Sequence, residues 1–144
     1  KNNLKTLVSQ HRKSLQAFNQ AIRSRTSSKQ LAQFAKIEYA KLFAAFPIWL
    51  VSLNSLHKVL PLNSEMFDLV IIDEATQCNI SSCLPALYRA KRALIVGDTK
   101  QLKHYSFLAR AKQNQLLSKN NVPENNQSAI SYRDNSILDL ALHR

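Results

Sequence analysis

The chain has 144 residues, 45% of them apolar, which suffices for one domain with a real core or for part of a larger one. Lys and Arg outnumber Asp and Glu by 20 to 9, a net charge of +11, so a polyanion such as nucleic acid is a more natural partner than an acidic surface. The single glycine, Gly97, excludes both glycine-rich phosphate loops, because G-x-x-x-x-G-K-[ST] needs two glycines and G-x-G-x-x-G needs three.

Residues 1–46 hold nine Lys or Arg against one acid, Glu38, and so carry a net +8 of the total. Within them Leu4, Leu7, Val8, Leu15, Phe18 and Ile22 fall at helical spacing, which predicts a helix from Asn3 to about Arg25. Thr26-Ser27-Ser28 supplies N-cap candidates for a second helix through Leu31, Phe34, Ile37, Leu42 and Phe43, ended by Pro47. The expectation is a basic helical hairpin or one long broken helix over 1–46. Its cations either form a solvated face or follow a phosphate backbone.

After Pro47 three short apolar runs appear, Ile48–Val51, Phe67–Ile72 and Ala93–Val96. They are continuous rather than alternating, as parallel strands covered on both faces are. A helix from about Ser82 to Ala90, capped by Ser81 or Ser82, joins the second run to the third, and this order predicts an α/β layer. Further on, a helix is expected from about Phe107 to Ser118, then the polar loop KNNVPENNQS, then a last helix from Asp134 or Asn135. Trp49 is expected in the core, Cys78 and Cys83 as free thiols, and the four histidines show no metal spacing. No apolar run approaches the roughly 20 residues of a membrane span. The start KNNLKTLVSQ is too polar for a signal peptide, and the expected compartment is the cytoplasm.

Ligands of parallel sheets bind beyond the carboxyl ends of the strands. There the second run ends on Asp73-Glu74 and the third on Gly97-Asp98. Acids so placed can hold Mg²⁺ and orient or deprotonate a water, but an acid pair also suits the start of a helix, and the residues alone leave both readings open.

The stretch Asp73-Glu74-Ala75-Thr76-Gln77 resembles the DEA-x-Q box, the Walker B motif of superfamily 1 helicases, and Gly97-Asp98-Thr99-Lys100-Gln101-Leu102 resembles their motif III, GDPKQL. The separation of the boxes is also similar to the family's, as are PIWLVSLNSLHKVLPL before them and SYRDNSILDLA near the end. The resemblance implies a partial RecA-like P-loop NTPase layer over 47–144, preceded by the basic segment 1–46 as an insertion. It implies Asp73 as the ligand of Mg²⁺ in Mg-ATP, Glu74 as activator of the hydrolytic water and Gln77 as a relay of nucleotide state. Asp98 and Gln101 would meet the γ-phosphate region and couple it to a single-stranded DNA or RNA cleft. Thr99 replaces the family's usual proline, which alters the turn but removes no ligand.

The family's phosphate loop lies upstream and its arginine fingers downstream, in a second RecA-like domain. An arginine finger is worth about 10³ to 10⁵ in rate. The resemblance therefore implies an internal piece of a longer ATP-dependent DNA or RNA helicase or translocase, inactive by itself. The alternative is a non-catalytic nucleic-acid-binding or scaffold module that keeps the helicase outline.

Overall fold

The computed structural model describes residues 2–143, which fall into two compact units divided after Leu62. The first unit thus takes in residues 47–62 together with the basic segment.

The first unit opens with the helices α1 (Asn2–Gln10), α2 (Arg12–Arg23), α3 (Ser27–Phe34) and α4 (Tyr39–Ala45). On α2 the buried residues Ser14, Ala17 and Ala21 recur at helical spacing, and small side chains there let neighbouring backbones approach closely. Leu7, Phe34, Ile37 and Leu42 complete the buried cluster, with Leu15, Phe18 and Trp49 partly buried against it. Trp49 meets Phe18 and Phe43 edge to face, with centroids 5.3 and 5.6 Å away, so it is a packing residue as expected.

The two helices expected in this region are each broken. His11 leaves helical geometry (φ −119°, ψ 30°) between α1 and α2. Asn3 on α1 reaches the carbonyl of Ala44 on α4 at 2.9 Å, so α1 packs along α4 instead of extending α2. Between α3 and α4, the amide of Glu38 donates to the buried hydroxyl of Ser14 at 3.1 Å, which takes it out of any helical ladder. His11 Nδ1 also lies 3.5 Å from the Glu38 carboxylate, so both breaks meet at one place. Each depends on residues far apart in the chain.

The strand expected over Ile48–Val51 is not formed. Ile48 and Leu50 are 83% and 97% exposed and the segment is irregular, because no neighbouring strand of the described residues pairs with it. A 3-10 turn (Leu53–Ser55) and the one-turn α5 (Leu56–Val59) follow, and the Gln30 side chain donates to the carbonyl of Lys58 at 2.6 Å.

In the second unit, β1 (Val70–Ile72) and β2 (Ala93–Ile95) pair in parallel, with Val70, Ile71 and Ile72 opposite Ala93, Leu94 and Ile95. The crossover is α6 (Ile80–Tyr88), which starts earlier than expected because Asn79, not a serine, caps it. Asn79 Oδ1 accepts from the Ser82 amide at 2.8 Å. Ile72, Ile80, Cys83 and Ala86 are buried, whereas Leu69, Ile71, Leu94 and Val96 are 42–59% exposed. The sheet is therefore covered on one face only by the described residues, not on both as its apolar runs suggest.

The rest is α7 (Arg110–Lys119), the short α8 (Glu124–Gln127) inside the polar loop, and α9 (Ile137–Leu142). Ser136 and Asp139 form a reciprocal capping box at α9, which starts two or three residues later than expected. The helix buries Ile137 and Leu138, and the Ile137 amide donates to the carbonyl of Cys78 at 2.9 Å.

Candidate functional site

Asp73 is the first residue after β1, and Glu74 follows it in a left-handed conformation, φ 52° and ψ 39°. A non-glycine residue pays for that geometry, and such residues concentrate at functional sites. The Glu74 amide donates to Asp73 Oδ1 at 2.9 Å, which fixes the Asp73 carboxylate and leaves its other oxygen for a ligand. Both acids are exposed. The chain then turns through a 3-10 segment, Ala75–Gln77, whose Gln77 amide donates to the Glu74 carbonyl at 2.9 Å. The acids thus precede a short turn rather than cap α6, whose N-cap is Asn79.

On the neighbouring strand end, Asp98 Oδ1 accepts from the Lys100 amide at 2.9 Å and the Asp98 carbonyl accepts from the Gln101 amide at 3.0 Å. Both bonds hold the turn that contains Thr99. The two strand ends are laced together. Val96 donates to Ile72 O and Ala75 donates to Val96 O, both at 2.9 Å, and the hydroxyl of Thr76 donates to Asp98 O at 2.9 Å. Asp73, Glu74 and Asp98 therefore stand on adjoining strand ends, as the sequence led one to expect. Gln77 and Gln101 sit on the same two turns with exposed side chains that have no hydrogen-bond partner among the described residues.

Gly97 is required by contact and not by backbone conformation. A Cβ there would lie 3.0 Å from Thr76 Oγ1, 3.1 Å from the Thr76 amide nitrogen and 3.1 Å from Leu138 Cδ2. Two of these atoms belong to a residue anchored in the turn, so Gly97→Ala is expected to cost about 1–3 kcal/mol. A lowered midpoint for thermal unfolding of the full-length protein would show it; an unchanged midpoint would mean that the turn yields freely.

The site fits magnesium as that ion is usually bound, through one or two carboxylates together with water and phosphate oxygens. Among the described residues no group of three or more His, Cys, Asp or Glu side chains forms a protein-only metal cage. Cys78 and Cys83 are free, and burial pushes the Cys83 thiol up to about 12, so it is no nucleophile near neutrality. A cleft of about 800 Å³, lined by Tyr105, Phe107, Leu116, Leu117, Ile130 and Tyr132, includes none of the acids. Tyr105 and Phe107 beside it are 81% and 94% exposed.

A family model for the AAA domain matches residues 1–104, which includes both acid-bearing strand ends. The chain belongs to this AAA domain family. This match and the helicases it resembles support a superfamily 1 helicase fragment, and its two-stranded parallel layer is consistent with a partial RecA-like one. It is 36% identical over 85 residues to an uncharacterised ATP-dependent helicase of Mycoplasma pneumoniae, the MG140 homologue, a match covering 58% of this chain and 8% of the relative. The MG140 helicase of Mycoplasma genitalium is 35% identical over 79 residues, 55% of this chain and 7% of that protein. Helicase SEN1 of Saccharomyces cerevisiae is 51% identical over 50 residues, 34% of this chain and 2% of its own length. The chain thus spans less than a tenth of these relatives. No solved structure matches it.

Of the residues around the site, Thr76 was missed by sequence reasoning. It occupies the variable position of the box, where nothing local marks it. Asn79 was also missed as a cap, although Asn79-x-x-Ser82 before an apolar run is a legible signal.

Proposed function

We propose that this chain contributes the metal-binding and water-activating acids of an ATP-dependent helicase or translocase acting on single-stranded DNA or RNA. The observation that carries the reading is the left-handed Glu74 beside Asp73 at the end of β1, laced to the Asp98 turn at the end of β2. Support comes from the family match across both turns and from relatives named ATP-dependent helicases.

Mg-ATP, when bound, supplies the phosphoryl group and most of the charge neutralisation. Asp73, whose Oδ1 is taken by the Glu74 amide, would hold the metal, directly or through water. Glu74 takes the proton of the attacking water, and its restricted backbone limits where the carboxylate can sit. Asp98 and Gln101 would contact the γ-phosphate region, Gln77 on the other turn would relay nucleotide state, and the cations of the basic first unit would bind phosphate backbone. The phosphate-cradling loop must come from elsewhere in the protein, because one glycine cannot build it.

The experiment is ATP hydrolysis by the full-length protein and by residues 1–144 alone, each with and without single-stranded nucleic acid and Mg²⁺. Magnesium-dependent, nucleic-acid-stimulated turnover is expected from the full-length protein and none from the short chain. Turnover by the short chain would overturn the divided site; an inert full-length protein would overturn the motor reading.

A further inference from the structure

We infer that Thr76 is a positioning residue that locks the Glu74 loop to the Asp98–Gln101 loop and to the segment following it, so that the two strand ends move as one body. The inference rests on the reading of the acids above and assigns a role to a residue between them.

Thr76 is 1% exposed, among the most completely buried side chains of the protein, although it lies two residues from the exposed Glu74. Its hydrogen bonds reach the neighbouring turn and the segment that follows it. Its hydroxyl donates to Asp98 O at 2.9 Å, and its carbonyl accepts from the His104 amide at 3.3 Å. Gly97 presents no side chain, and Thr76 fills that space so closely that a Cβ would come within 3.0 Å of the hydroxyl. On either side, Ala75 donates to Val96 O and Cys78 accepts from Ile137, which clamps the same turn against β2 and α9. A hydroxyl donor and a small residue opposite it form the clasp.

Valine at position 76 would keep the volume but put a methyl where the donor stood. Carbon-to-oxygen contacts settle at about 3.3–3.6 Å, so the Asp98 carbonyl would have to retreat by roughly half an ångström. Displacements of this size at reacting groups are costly in rate, up to about 100-fold for 1 Å. Serine would retain the donor.

The test compares Thr76→Val with Thr76→Ser in the full-length protein, reading stimulated ATP turnover, half-saturating ATP and amide hydrogen exchange. For valine, kcat is expected to fall about tenfold with KM changed less than about twofold, and exchange over residues 97–104 should accelerate while α1–α4 stay as they were. Serine should restore both. Equal loss in both variants, KM rising in step with the fall in kcat, or unchanged exchange over 97–104 would overturn the clasp. Exchange decides the matter even if Glu74→Gln shows that hydrolysis does not depend on Glu74, so failure of the enzymatic reading is distinguishable from failure of this one.

Discussion

Glu74→Gln in the full-length protein is expected to lower nucleic-acid-stimulated ATP turnover by about 10²- to 10⁴-fold, the usual contribution of a positioned general base. Glutamine has the same shape and the same backbone amide, so the bond from residue 74 to Asp73 Oδ1 can persist. The left-handed backbone at φ 52° strains glutamate and glutamine alike, which leaves loss of the proton acceptor as the main change. Binding of a fluorescent ATP analogue should therefore stay within a few-fold of wild type while kcat collapses. Turnover within about threefold of wild type would refute the water-activating role.

The second large effect concerns salt. Residues 2–62 hold nine Lys or Arg (Lys5, Arg12, Lys13, Arg23, Arg25, Lys29, Lys36, Lys41 and Lys58), all exposed, against the single acid Glu38, which already faces His11. If about six of these meet phosphates of a single strand, log affinity falls with log salt at a slope near −4, or about 300-fold between 50 and 200 mM. Replacing Arg12, Lys13 and Arg23 of α2 together by alanine should flatten that slope by about 2. Fluorescence anisotropy of a labelled oligonucleotide on the full-length protein measures both. Salt-independent binding, or a slope that the triple variant leaves untouched, would remove this unit from the nucleic-acid path.

How much of the site could be read in advance depended on how tightly chemistry restricts the residue. A metal and a water demand carboxylates held rigidly, so Asp73, Glu74 and Asp98 after apolar runs stood out, and the structure puts them on adjoining strand ends. The run Ile48–Val51 met the same apolar criterion and forms no strand, since pairing requires a neighbour that composition does not reveal. The helix breaks were illegible for a similar reason. No Gly or Pro marks His11 or Ala35–Glu38, and the Ser14–Glu38 bond that interrupts the ladder joins residues 24 positions apart.

Sequence alone determined the amphipathic basic helices, the β-α-β order, the two acid-bearing turns and the exclusion of a phosphate loop, because periodicity, residue chemistry and glycine count are local properties. Only the tertiary structure decided that Glu74 adopts the left-handed region, that Gly97 is small to admit Thr76, and that Thr76 ties one turn to the other. The last two depend on groups more than twenty residues apart meeting within about 3 Å, a distance set by the parallel register of β1 on β2.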